Sequence, residues 1–192
     1  MATLFVDKLD PQSGTALEIG SSGDTITIPS GATITNNGTA TNFGGTTAPY
    51  VSVYRSGDQN ISDATWTKIQ FNTEIVDSAG AFDNSTNYRF TPQTAGYYFV
   101  NLNVGTGTTV DNSTDQVICE IQKNGSGATG GYANRNWDTV GLNYNDVINT
   151  SLMVQCNGSS DYIEGFIYID VTSGTPRVES NGANMQIFKM TE

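Results

Sequence analysis

Histidine is absent from all 192 residues. Its absence removes Ser-His-Asp and Cys-His nucleophiles, imidazole metal sites and the commonest general base in one step. Carboxylate pairs remain, Asp111 with Asp115 and Asp161 with Glu164. Two such groups flanking a glycosidic bond could cleave it, one as acid and the other as nucleophile or base. Acids three or four positions apart in Asn-, Ser- and Gly-rich stretches usually bond their own turns instead, so a non-enzyme is expected. The run from Asp111 to Asp115 offers hard oxygens but lacks the spacing of a calcium loop. An Asx-rich turn is expected there, with no metal and no cofactor.

Cys119 and Cys156 lie in separate strand-like runs and form no C-x-x-C pair. Each falls on the apolar parity of its run, Val117/Cys119/Ile121 and Leu152/Val154/Cys156. Buried thiols are the default, and a disulfide across the core is the open alternative. A third chemistry is recognition. Tyr132, Asn134, Arg135, Trp137 and Tyr144 cluster in a Gly- and Asn-rich stretch, and aromatic faces beside amides and a guanidinium suit sugar rings and their hydroxyls. These five are the receptor-contact candidates, with Trp137 alternatively an ordinary core residue of a strand.

The formal charge is −11, from eight Lys and Arg against nineteen Asp and Glu. A polyphosphate partner needs clustered cations to release its counterions, so neither nucleic acid nor an anionic membrane is an expected partner. Acidity of this kind serves solubility. Met1–Asp10 carries Asp7 and Asp10 around a short apolar run and does not resemble a signal peptide, and no stretch approaches a transmembrane length. Synthesis in a cytoplasm without membrane insertion is expected. Seven N-x-[ST] triplets then follow simply from an Asn-, Ser- and Thr-rich composition.

No window shows a sustained helical stripe, and Gly, Ser, Thr and Asn abound, as in all-β proteins with many tight turns. Three parts are expected. Residues 1–14 form an N-terminal anchor peptide, with Leu4, Val6 and Leu9 available to dock on a partner, or else a frayed terminus. Residues 15–47 form an extended β-rich stalk and collar, which its regularly placed isoleucines favour over a flexible Gly/Ser/Thr linker. Its pieces Ala16–Ile19, Thr25–Ile28 and Ala32–Thr35 are separated by breaks at Gly20–Asp24, Pro29–Gly31 and Asn36–Gly38. Isolated isoleucines such as Ile19, Ile26, Ile28 and Ile34 cannot make a core in one chain, but several copies side by side could bury them.

Residues 48–192 form the head, with about eight to ten strands, the load of a two-sheet sandwich or jelly roll. Tyr50–Tyr54 opens it, and Thr65–Val76 alternates around Trp66, Ile69, Phe71 and Ile75. Gln116–Lys123 precedes an Asn124-Gly125 turn, and Gly125–Asp146 is poorly patterned. Val147–Cys156, Tyr162–Val171 and Met185–Met190 complete the set. In one of them Ile163, Ile167, Ile169 and Val171 point inward while Tyr162, Glu164, Tyr168 and Asp170 point out.

Phe90–Val104 is the strongest strand signal. Tyr98, Val100, Leu102 and Val104 fall on one face, and Tyr97, Phe99, Asn101 and Asn103 on the other. A solvated face would not need Tyr97 and Phe99, so this strand is expected to be covered twice and to lie in the sheet opposite Tyr162–Val171.

Phe90, five residues, Gly96 and then Tyr98 resemble the mark of the C1q-like domain, the trimeric jelly roll shared with the tumour-necrosis-factor superfamily. Val100 and Leu102 stand where that family usually has aromatics, and Phe82 is one position off its spacing. The resemblance covers about Ala48–Glu192 and implies that the sheet holding the Gly-x-Tyr strand faces a threefold axis. It places Tyr97, Phe99, Asn101 and Asn103 at a trimer interface that is apolar at first and polar further along. Val6–Gly20 and Thr25–Thr41 resemble the segments preceding C1q-like heads in bacteriophage tail-fibre and other virion structural proteins.

The expectation is therefore a homotrimeric virion fibre or spike whose head attaches to a host-surface glycan or protein. Residues 1–14 would join it to other virion proteins, and its location would be the particle surface. The alternative is a trimeric capsid or tail decoration protein that binds no receptor.

Overall fold

The computed structural model describes residues 9–38, 48–110, 113–136 and 146–191. The collar and residues 1–8 of the anchor lie outside these, as do Asp111, Trp137 and Tyr144. The chain divides into two compact units, Met1–Gly44 and Gly45–Glu192.

In the first unit, residues 9–38 contain no strand, and all but Pro11 are exposed. The expected breaks are present as turns. The Asp24 amide donates to the Ser21 carbonyl at 3.0 Å and the Ala32 amide to the Pro29 carbonyl at 3.0 Å. The Gly38 amide donates to Asn36 Oδ1 at 2.9 Å. Between these turns Ile19, Ile26, Ile28 and Ile34 stand in solvent, on backbone that forms no ladder within the single chain.

The second unit is all β. Its strands are β1 (Tyr50–Tyr54), β2 (Gln59–Asn60), β3 (Thr67–Lys68), β4 (Thr73–Asp77), β5 (Phe82–Asp83), β6 (Arg89–Phe90), β7 (Ala95–Thr108), β8 (Thr114–Lys123), β9 (Ser126–Asn136), β10 (Asp146–Asn157), β11 (Ile163–Val171) and β12 (Pro176–Thr191). One sheet runs β10-β7-β12-β1-β4, with β2 also on β12, and the other runs β5-β6-β11-β8-β9, with β3 also on β11. Every pairing is antiparallel. The chain changes sheets after β2, β3, β4, β6, β7, β9, β10 and β11, which makes the unit a two-sheet jelly-roll sandwich.

The inner faces follow the alternation in the sequence. Tyr98, Val100, Leu102 and Val104 of β7 are fully buried, as are Ile163 and Ile167 of β11, with Ile169 nearly so. Tyr98 satisfies its hydroxyl by donating to the Thr94 carbonyl at 2.7 Å and meets Phe90 edge-on at 5.5 Å. Gly165 lets the sheets approach, since a Cβ there would meet Leu102 and Phe71 at 3.1 Å. Cys119 and Cys156 are buried free thiols, so the disulfide alternative is set aside. Burial pushes them up to about 12 and about 11, which keeps both protonated and unreactive at neutral pH.

Four expectations change. Thr65–Val76 is not one strand but β3 and β4, joined by a stretch that Gln59 holds with its side chain. Gln59 Nε2 donates to the Lys68 carbonyl at 2.8 Å, and its Oε1 accepts from the Gln70 amide at 2.9 Å. Ile69 and Phe71 are buried there, whereas Trp66 and Ile75 are exposed. The poorly patterned stretch after Asn124-Gly125 begins with the long strand β9. Asn124 and Gly125 both have positive φ, +55° and +75°, as a tight type I′ hairpin turn requires. Glu164 does not face water, because Lys68 covers it in an ion pair. Short paired segments raise the count to twelve strands among the described residues.

Candidate self-association face and neighbouring surfaces

The outer face of the β7 sheet is built by register. Phe99 lies between Met153 of β10 and Phe188 of β12, and Phe188 in turn faces Tyr50 of β1. These four make an apolar row across four strands. Met153 is 56% exposed, Phe188 44% and neighbouring Tyr97 41%. Leaving them in water forgoes about 1 kcal/mol each, half the value of full burial of a large apolar side chain.

The next two rows are polar. Asn101 lies between Ser151 and Gln186, and Asn103 between Asn149 and Asn184. Asn101 Nδ2 donates to Gln186 Oε1 at 2.8 Å, Gln186 Nε2 to Asn184 Oδ1 at 2.8 Å, and Asn103 Nδ2 to the same Asn184 oxygen at 3.1 Å. The face thus changes from exposed apolar to a linked amide grid along the length of β7, in the order its sequence suggests.

The receptor-contact candidates separate. Tyr132 and Asn134 share the outer face of β9, where Gln116 Nε2 donates to Asn134 Oδ1 at 3.2 Å. Arg135 lies on the opposite parity. Its Nη1 donates to both carboxylate oxygens of Asp146, at 2.6 and 2.7 Å, tying the two edge strands β9 and β10 together. Arg135 is therefore engaged between sheet edges and stands on the other parity from Tyr132 and Asn134, as the period of a strand requires. Trp137 and Tyr144 lie outside the described residues.

Of the carboxylates considered for acid–base work, Asp161 and Glu164 take up structural partners. Asp161 accepts from Asn124 Nδ2 at 2.8 Å and from the Asn157 amide at 2.9 Å, and it pairs with Lys123 at 2.9 Å. The bond from Asn124, then Lys123, holds its carboxyl down at about 2. This closes the Asn157–Asp161 turn, where Gly158 adopts φ +74° and a Cβ would strike Thr94 and Ala95. Glu164 is committed to Lys68 instead. Among the described residues no three His, Cys, Asp or Glu groups converge on a metal-sized site, and no helix is long and apolar enough to cross a membrane.

One surface escaped the sequence reading. On the outer face of the β11 sheet the Trp66 indole meets the Tyr168 ring, with centroids 5.7 Å apart and planes at 51°. Tyr168 pairs across to Ile118 and Ile118 to Asn134. The alternation of β11 turns Tyr168 outward, and Trp66, to which the sequence assigns no face, has the parity of Lys68, opposite to the buried Ile69 and Phe71, which brings it to the same surface.

No family model matches the sequence, and no curated protein is similar to it. Among solved structures, this chain is similar to the Eiger TNF of S. frugiperda, with a TM-score of 0.49 and 9% identity over 75% of this chain and 94% of that one. It is also similar to the globular domain of the zebrafish complement 1qA protein, with a TM-score of 0.44 and 13% identity over 75% and 98% of the two chains. The jelly-roll assignment rests on the strand order given above.

Proposed function

We propose that the chain is a homotrimeric bacteriophage fibre or spike protein, with its head assembled through the outer face of the β7 sheet and displayed for host-surface attachment. One observation carries the assembly: in the row Met153, Phe99, Phe188 and Tyr50, Met153 and Phe188 are exposed in the single chain, as is Tyr97 beside it, and Phe99 and Tyr50 are half-buried. A contiguous apolar row bordered by a fixed amide grid suits a partner that presents the same surface. The isoleucines of residues 9–38 support a stalk in the same way, because extended pieces without ladders bury such side chains only against other copies. Placement in a virion rests on the resemblance of Val6–Gly20 and Thr25–Thr41 to segments that precede phage C1q-like heads. Three copies would raise avidity for a repetitive surface without a tight single site.

Light scattering on the purified full chain tests the assembly. The expected mass is three times 20.5 kDa, and a monomer overturns the reading. A trimer that binds no bacterial surface would instead favour a decoration protein of the capsid or tail.

A further inference from the structure

The geometry points to a binding platform for neutral oligosaccharide on the outer face of the β11 sheet, running from Trp66 through Tyr168 and Ile118 to Asn134. It rests on the attachment reading above and names the chemistry attached to. The order of these residues follows from the Trp66–Tyr168 ring contact and from the register Tyr168–Ile118–Asn134. Trp66, immediately before β3, and the three strands β11, β8 and β9 carry the row, with Ile118 buried between Tyr168 and Asn134, so it spans roughly 14 Å at the usual strand spacing, long enough for more than one sugar ring.

Trp66 remains 41% exposed although it contacts Tyr168. An indole and a phenol tilted against each other present ring faces for the C–H side of a pyranose, and amides at the far end can bond its hydroxyls. Asn134 and Gln116 supply those amides, already oriented by the bond between them.

Charge selects the class of sugar. The cations on this face are occupied: Lys68 pairs with Glu164 and lies over Phe166, and Arg89 stacks on Tyr162 at 4.3 Å. Glu120 and Asp170 project from the same face of β8 and β11, in a chain of net charge −11. Arg89 keeps its charge but lies against the Ile163 end of β11, five positions from Tyr168. Sialylated, uronate or phosphorylated glycans on the row would therefore meet the repulsion of Glu120 and Asp170, whereas a neutral saccharide meets none.

The test is affinity electrophoresis of the full chain through native gels containing dextran, mannan, laminarin or galactan, with alginate as the acidic probe. At least one neutral polymer should retard the protein, and alginate should not. Trp66→Ala should weaken the retardation about tenfold or more, as loss of an aromatic stacking partner does, while Trp66→Phe keeps most of it. Asn134→Ala, at the other end of the row, provides a second variant should Trp66→Ala misfold by circular dichroism. Retardation by no neutral polymer, by alginate alone, or equally with and without Trp66 and Asn134 overturns the platform. Light scattering on the same samples separates the two readings. A monomer that is still retarded overturns the trimer and keeps the platform, and a trimer that no neutral polymer retards does the reverse.

Discussion

On the outer face of the β7 sheet the large side chains gather in one row, Met153, Phe99, Phe188 and Tyr50, and the polar ones gather in the next two. On the outer face of the β11 sheet they are interspersed: Tyr132 faces Glu120, Glu120 faces Phe166, and Phe166 faces Lys68. Both sheets bury equivalent inner faces, so the contrast does not serve the fold. A segregated apolar row can be removed from water only by a large complementary surface, such as another protein. An interspersed face, with Lys68 and Glu164 paired and its aromatics separated by polar side chains except where Trp66 meets Tyr168, is stable wetted and can receive small polar rings. The two faces thus suit different partners.

The largest effect should come from confusing the inner face with the outer one. Tyr98→Asp places a carboxylate in the core beside Phe90 and should abolish folding, because an unpaired buried charge costs more than a typical domain's margin. Phe99→Asp, one residue on, should leave the far-ultraviolet circular dichroism intact while the mass falls to that of one chain. Equal effects from the two substitutions would mean that β7 has no solvent-facing side in the single chain.

Next in size is the ion pair on the β11 face. Glu164 is nearly fully buried, whereas the Lys68 side chain keeps a third of its exposure and also donates to the Asn87 carbonyl at 3.1 Å. Removing the lysine strands a buried carboxylate, while removing the carboxylate leaves an ammonium that water still reaches. Lys68→Met should therefore cost about 2 kcal/mol and Glu164→Gln about 1 kcal/mol, below the range for a wholly buried pair because of that exposure. Urea midpoints measure both, and the opposite order would show that the lysine is the more poorly solvated partner.

These contrasts show what was legible in advance. Alternation in Tyr97–Val104 distinguished the inner from the outer residues of β7, because both kinds of side chain are large and the period is strict. β9 was not legible: it is an edge strand in which only Gly131 is fully buried, so almost no apolar residue marks its period. Trp66 was hidden for another reason: grouped with Ile69, Phe71 and Ile75 it shows no single period, although its position is of opposite parity to the buried Ile69 and Phe71 and therefore faces outward. Glu164 looked solvated because parity reports direction and cannot report the lysine lying over it.

The smallest effect separates turn chemistry from both faces. Asn124 and Lys123 depress the Asp161 carboxyl to about 2, and amides of Thr86 and Ser85 hold Asp83 well below the usual carboxylate range. A carboxyl whose folded pKa lies below its unfolded value adds stability at pH above the unfolded value, near 4, and loses it as pH falls through the folded one. Stability should therefore be level from pH 7 to about 5 and decline between about 4 and 2. Asp161→Asn should lower the plateau slightly and reduce the slope of that decline without removing it, since Asp83 titrates in the same direction. The β7 face carries no acid in its apolar row, so the mass of the assembly should not change before unfolding begins. Urea midpoints and light scattering at matched pH would check the two halves together. A mass that falls while the midpoint is still on its plateau would put a titrating carboxylate in the subunit contact, which the row Met153, Phe99, Phe188 and Tyr50 does not contain.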